Sequence, residues 1–305
     1  MNILVTGGAG YKGVLLTKYL LDKGYKVTIL DNFMFGYDSI LHLISNKSLS
    51  IVQEDVRNDL KKYIKNQDVI IHLAGISGYP ACEANPNSAT LINVNATRKL
   101  TKELSKSQML IYASTTSFYG KSGDLRDETS TVDPVSLYGR TKYEAETICM
   151  EKENTIALRF ATIFGVSPKM RNDLLLNEFV YRALVERCLV LFESQSKRTF
   201  LHIRDAIGAY LLAVENFAAM KNNVFNVGDE SMNYSKMELA KYIQKYFDFT
   251  IIDSEVKDLD TRNFLISYDK IRGYGYKTKY TIDDGIKELH KLYGFYRPYL
   301  PYKTI

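Results

Sequence analysis

Short runs of aliphatic and β-branched residues, separated by segments in which apolar positions recur every three or four residues, set the plan of this chain. The apolar runs fall at residues 3–5, 27–30, 49–52, 69–73, 109–113 and 156–160. Runs of that length, bounded by glycine and polar positions, predict buried strands. Helix-compatible segments separate several of them. Residues 14–23 put Val14, Leu15 and Tyr19, with Leu21 and Leu16 as further candidates, toward a sheet, and the segment stops at Gly24, the residue best suited to a left-handed turn after a helix. Strand alternating with helix predicts an α/β protein with a doubly wound parallel sheet covered on both faces.

The regularity weakens after Gly165. Ser167-Pro168 breaks the chain, residues 174–185 and 204–215 read as helices, and from Tyr234 the pattern is helical and then rich in Lys, Asp and Tyr, with Gly273 and Gly275 in a turn. A boundary near residue 165 follows. Residues 1–165 form one domain, joined by part of 204–228, and residues 166–305 form a smaller, interleaved mixed α/β domain. The 305 residues suffice for both.

Composition narrows the function classes. Apolar residues make up 46% and charged residues 25%, as in ordinary globular chains. The 40 basic and 35 acidic residues give a net charge of +5 with no dense basic stretch, so a nucleic-acid partner is not expected and an anionic small molecule is. Three widely spaced cysteines, Cys82, Cys149 and Cys188, suggest no disulfide framework, and four scattered histidines suggest no metal site. A strand predicted at the first residues, and no apolar run of membrane-spanning length, make a cytoplasmic protein without a membrane partner the expectation.

Candidate chemistry begins in Ile3-Leu4-Val5-Thr6-Gly7-Gly8-Ala9-Gly10-Tyr11-Lys12-Gly13, where a strand runs into a helix through glycines spaced as Gly-x-x-Gly-x-x-Gly. Such a loop lets the backbone approach a pyrophosphate, whose charge is stabilised by the free N–H groups of the helix start. Asp31-Asn32 follows the second predicted strand, where a carboxylate accepts hydrogen bonds from a ribose diol and repels a 2′-phosphate. NAD is therefore preferred over NADP. Lys12 reads either as a cation near the phosphates or as a side chain projecting into solvent.

Tyr138-Gly139-Arg140-Thr141-Lys142 places a phenol and an ammonium four residues apart, on one face of a helix starting near Ser136. For a tyrosine to act as a base near neutral pH its pKa must fall by about 3 units, or roughly 4 kcal/mol. A neighbouring ammonium and a cationic nicotinamide ring supply that field. The strand at 109–113 ends in Ser114-Thr115-Thr116-Ser117, hydroxyls on the same side of the sheet that can hold a sugar hydroxyl. Asn95 reads either as a positioning group for active-site backbone or water, or as a helix cap.

Together these tracts resemble the extended short-chain dehydrogenase/reductase family of nucleotide-sugar epimerases and dehydratases, over nearly the whole chain. The resemblance implies a Rossmann-type fold in which Gly7, Gly10, Tyr11, Lys12 and Gly13 form the diphosphate loop. Asp31 and Asn32 would hold the adenosine ribose, Asp55 and Val56 meet the adenine, Leu73, Ala74 and Gly75 line the cofactor, and Phe160 touch the nicotinamide. It implies Thr115, Tyr138 and Lys142 as the catalytic set. Arg198 would grip the diphosphate of a nucleotide-sugar substrate, with Thr116, Ser117, Thr162, Arg171 and Asn177 as further substrate contacts. The tracts Asp31-Asn32-Phe33-Met34-Phe35 and Met170-Arg171-Asn172-Asp173-Leu174 resemble a subset that includes a GDP-heptose 4-dehydrogenase.

Departures from the family pattern select the reaction. Its 4,6-dehydratases carry Asp-Glu after the catalytic threonine, whereas Thr116-Ser117 stands here and cannot do that acid–base work, so dehydration is not expected. Many relatives have Asn where Thr162 stands. Oxidation at C4 of a nucleotide sugar by an epimerase or a dehydrogenase is the expectation, with a 4-ketoreductase or a non-catalytic NAD sensor as alternatives. The resemblance also implies a homodimer through the helices near 95–107 and 136–151, and a role in surface-polysaccharide precursor synthesis.

Overall fold

The computed structural model describes residues 1–120, 124–256 and 265–297, so parts of the Lys-, Asp- and Tyr-rich tail lie outside the described residues. In chain order the strands are β1 (Asn2–Thr6), β2 (Lys26–Asp31), β3 (Leu49–Gln53), β4 (Val69–His72), β5 (Met109–Thr115), β6 (Leu125–Arg126) and β7 (Thr155–Phe160). They continue as β8 (Thr162–Phe164), β9 (Cys188–Phe192), β10 (Lys197–His202), β11 (Asn223–Val227), β12 (Asn233–Ser235), β13 (Thr250–Ser254) and β14 (Leu265–Ile266).

Seven strands form one parallel sheet in the order β11-β7-β5-β4-β1-β2-β3. This is the doubly wound Rossmann arrangement, with the order reversing between β1 and β4. Each of the six predicted apolar runs falls on one of its strands, with Leu73 one residue beyond β4. The seventh, β11, pairs with β7 and brings the chain back to the sheet after the helix Ile203–Glu215.

Because every central strand is apolar on both sides, each face carries its own core. On one face Ile3, Val5, Ile71, Ile111 and Leu158 pack under Leu16 and Leu20 of the helix Tyr11–Asp22 and under Ile207, Tyr210 and Ala213 of Ile203–Glu215. On the other, Leu4, Ile70, Leu110 and Tyr112 pack under Leu100 of Thr97–Glu103 and Ala145 and Cys149 of Leu137–Met150. The first helix buries Val14, Leu16, Leu20 and Leu21, while Leu15 and Tyr19 are only half-buried. It starts three residues before the expected position and ends at Asp22, just before Gly24, whose φ is 82°.

A second hydrophobic cluster lies beyond the sheet. Phe164, Leu176, Phe179, Phe200, Leu239, Ile243, Ile286 and Leu289 share it. It is framed by a three-stranded sheet, β12-β10-β8, and by the pair β13-β9. Two expectations are corrected here. The stretch at 174–185 is an α-helix only over Leu175–Tyr181 and then widens into a π-helix, Arg182–Glu186. Tyr234 stands in a strand that completes the edge of β10, and the helix begins at Lys236 behind a capping box of Ser235 and Glu238. Among the described residues no helix is long and apolar enough to cross a membrane.

Candidate active site

One cleft of about 810 Å³ opens at the carboxyl ends of the sheet strands, where the order reverses, and it is walled on its far side by residues near the second cluster. Ligands of doubly wound sheets bind at that point because the loops diverge there. Its floor begins with the glycine loop. A methyl group on Gly7, whose φ is 70°, would lie 2.8 Å from the amide of Ala74, and one on Gly13 would lie 2.3 Å from the carbonyl of Gly7. The loop thus has room for backbone alone. Gly10 caps the helix start with extended geometry and no side-chain bond, leaving helix N–H groups facing the cleft.

At the end where the sequence resemblance places adenosine, Asp31 is held by the amides of Ala9 at 3.0 Å and Phe33 at 2.9 Å, and burial raises its pKa. Each oxygen keeps a lone pair for a ribose hydroxyl. Asn32 donates to Asp55 at 3.2 Å, which ties the ends of β2 and β3 together. Arg57 grips Asp55 through Nε and Nη2 and holds its pKa down at about 2. Val56, Leu73, Ala74 and Gly75 line the adjoining wall.

At the other end, where the resemblance places the chemistry, Tyr138 stands half-buried on the cleft wall in the first turn of Leu137–Met150, whose start is capped by Ser136 accepting from Gly139 N at 3.1 Å. Lys142 is buried one turn further on, behind the wall, its Nζ 4.1 Å from the centroid of the Tyr112 ring, and burial lowers its pKa to about 8. Thr115 ends β5 beside them. It accepts from Ser117 N at 3.1 Å and donates to Ser117 Oγ at 2.8 Å, a local turn that holds both hydroxyls at the cleft. Thr116 donates to the carbonyl of Phe160 at 3.2 Å, and no carboxylate occupies either position. The residues expected from the resemblance to contact nicotinamide and substrate, Phe160, Thr162, Arg171 and Arg198, all line this half of the cleft.

Beneath the surface a charged network fixes these elements. Glu146, from the Tyr138 helix, receives Ser114 at 2.5 Å and three bonds from Arg159 of β7 at 2.6 to 3.1 Å. Arg159 also donates to Tyr119 at 2.6 Å, and Tyr119 to Asn226 of β11 at 2.8 Å. Both charges are almost fully buried, so their mutual pairing is what makes burial tolerable.

Three expected residues do not line the cleft: Lys142, buried behind its wall, and Asn95 and Asn177. Asn95 lies inside the π-helix Leu91–Ala96, not at a helix start, and faces outward. The positioning role falls to Asn93, which is buried, accepts from Ile76 N at 2.8 Å, and donates to Ile76 O at 2.9 Å and Thr141 at 3.2 Å. Asn177 is fully buried, its amide spent on Gly165 N at 2.9 Å and Arg171 O at 2.9 Å, so it shapes the loop and cannot touch a ligand in the cleft. Arg171 does face the cleft, with its guanidinium paired to Asp173. Tyr11 faces it too, and donates to Gly165 O at 2.7 Å, stitching the glycine loop to the loop after β8.

Other residues also line the cleft. Lys169 reaches the carbonyl of Phe35 across the adenosine end, and the segment Ser77 to Ala81 borders the cleft through a Gly78 at φ 104°. The glycines flanking Ile76-Ser77, directly after a strand, could have marked that segment as a binding loop. Among the described residues no cluster of His, Cys, Asp or Glu is placed to hold a metal ion.

Known proteins resemble this chain over nearly its whole length. The chain is 28% identical over 310 residues to an uncharacterised UDP-glucose epimerase of Bacillus subtilis strain 168, covering 95% of this chain and 92% of that one. It is 25% identical to the CDP-paratose 2-epimerase of Salmonella typhi, covering 95% and 98%. The fold superposes with a TM-score of 0.86 on the UDP-glucuronic acid 4-epimerase of Bacillus cereus, crystallised with UDP-glucuronic acid and NAD, at 24% identity over 96% of this chain and 99% of that one. Residues 3–228, which hold the glycine loop, Asp31, Thr115, Tyr138 and Lys142, match the profile of the NAD dependent epimerase/dehydratase family. The chain belongs to that family.

Proposed function

We infer that this protein is an NAD-dependent epimerase acting at C4 of a nucleotide-diphosphate sugar. The observation that carries the reading is the convergence of Tyr138 and Thr115 with the glycine cradle and Arg198 in one cleft. NAD, when bound, supplies the hydride acceptor; Gly7, Gly10, Gly13, Asp31, Asn32, Asp55, Val56, Leu73, Ala74, Gly75 and Phe160 are the residues that would hold it. Residues up to about 165 and part of 204–228 serve the cofactor, and the rest serve the sugar nucleotide.

Thr115 orients the C4 hydroxyl, and Tyr138 takes its proton as C4 is oxidised to a ketone. Lys142, one helical turn further on and buried behind the wall, is the third member of the catalytic set that the family resemblance implies. Arg198 supplies a forked guanidinium to the diphosphate, with Thr162 and Arg171 beside it. Thr116 and Ser117 offer no carboxyl group, so elimination of water has no acid–base pair to drive it. Return of the proton by Tyr138 to the same oxygen, and to C4 of the hydride that bound NAD would hold, after the sugar has presented its other face, would complete epimerisation. A dehydrogenase releasing the keto sugar would use the same residues. The protein is proposed to work in the cytoplasm as a homodimer in the assembly of surface polysaccharide precursors.

Incubation with a panel of UDP-, GDP-, CDP- and dTDP-sugars, with products read by mass and NMR, tests the reading. An isomer of equal mass is expected, whereas a product two hydrogens lighter means a dehydrogenase. Tyr138→Phe should lower turnover at least about 100-fold, the usual scale for a lost general base, with NAD still bound. Undiminished turnover would remove Tyr138 from the chemistry.

A further inference from the structure

The glycine loop carries a residue that the reaction as described leaves unused. Lys12 follows Tyr11 at the head of the first helix and extends its side chain along the cleft toward the chemical end. Its ammonium lies 4.8 Å from the centroid of the Phe160 ring and 3.3 Å from the Tyr210 hydroxyl. Phe160 is the strand partner of Thr115, and Thr116 bonds its carbonyl, so Lys12 sits beside the hydroxyls that orient the substrate.

Among the described residues Lys12 forms no ion pair, and its hydrogen-bond partner is a phenol that burial keeps neutral. The charged groups that act on it are both positive: Lys142 from the Tyr138 helix and Arg171 from the loop before Leu175–Tyr181. Burial and these two fields lower its pKa to about 7. A lysine extended along a solvated face would avoid all of this. A cation kept without a counter-charge in a half-enclosed cleft instead makes the cleft sensitive to the charge of whatever enters it.

Hydride exchange with a carbon held by Thr115 and Tyr138 requires the nicotinamide to reach the space bounded by those residues and Phe160. The oxidised ring is a cation and the reduced ring is neutral. We propose that Lys12 is a positioning charge that makes this cleft prefer the reduced cofactor, favouring uptake of hydride from the sugar and its retention while the ketone turns. The inference rests on the epimerase reading above, and in particular on a nicotinamide at Phe160.

The test uses the full-length protein freed of nucleotide carried through purification, with NAD and NADH titrated separately by calorimetry about one pH unit below the value for Lys12, where the ammonium is charged. The wild-type protein is expected to bind NADH more tightly than NAD. Lys12→Met should narrow the ratio of the two dissociation constants by about tenfold or more, the scale of one unit charge acting at close range in a protein, mainly by tightening NAD. Lys12→Arg keeps the charge and should keep the ratio. An equal loss of affinity for both forms in Lys12→Met overturns the proposal and places the ammonium on the phosphates; unchanged affinities overturn it by placing the side chain in solvent. A wild-type protein that binds neither form overturns it too, together with the cofactor reading itself, whereas the first two outcomes leave that reading standing.

Discussion

A single methyl group separates two kinds of glycine in this molecule. At Gly13 an added Cβ would meet Gly7 O at 2.3 Å and Gly8 Cα at 2.7 Å, backbone atoms that cannot move without opening the phosphate loop. At Gly24 nothing lies within 4 Å, and the cost is only a φ of 82°. Gly13→Ala is therefore expected to weaken NAD binding by more than about tenfold, since the loop must shift by a large part of an ångström at the site of its charge-assisted bonds. Gly24→Ala is expected to lower stability by about 1 kcal/mol and leave NAD affinity unchanged. Calorimetric titration and urea midpoints on both variants check the pair. The glycine spacing and Asp31 were legible in the sequence because their chemistry fixes their distance from a strand end. Asn93 was not, since two asparagines stand two positions apart and only the helix rotation, here distorted by a π turn, decides which one faces Ile76.

The long elements of the sheet were legible and the short ones were not, for a reason rooted in how burial writes itself into sequence. A strand covered on both faces is apolar at most of its positions, so β1, β2, β4, β5 and β7 stand out as runs despite buried polar residues such as His72, Ser114 and Arg159. Strands of three residues such as β8 and β12 are too brief to show any period. The parallel sheet and its helices nevertheless require one thing that periodicity does not reveal, a rigid link between the Tyr138 helix and the strands carrying Thr115 and Phe160. Glu146 and Arg159 provide it, with Ser114 and Tyr119 completing their bonds. Glu146→Ala is expected to destabilise the fold by about 3–5 kcal/mol, because Arg159 is left charged and buried without its partner. Replacing both with apolar residues of similar volume should recover most of that loss, and a denaturation series over the two single variants and the double variant measures the coupling.

Across the whole molecule, two hydrophobic clusters meet at one cleft whose lining comes from both sides. Gly7, Asp31 and Tyr138 stand over the large sheet, while Arg171, Glu178, Arg198 and Lys236 stand by the second cluster. A ligand spanning the cleft must therefore bias folding of both regions, and binding to the native state stabilises it in proportion to the logarithm of free ligand over its dissociation constant. NAD at 100 times its dissociation constant should raise stability by about 2.7 kcal/mol, and a nucleotide-diphosphate sugar at the same excess should add a comparable increment. The two increments report on different walls. Arg198→Ala is expected to keep the NAD increment and lose most of the sugar nucleotide's, because the guanidinium that would pair the diphosphate stands on the far wall. Melts of both proteins with each ligand alone and with the two together measure this, and a variant that retained the full sugar-nucleotide increment would show that the diphosphate is held elsewhere in the cleft.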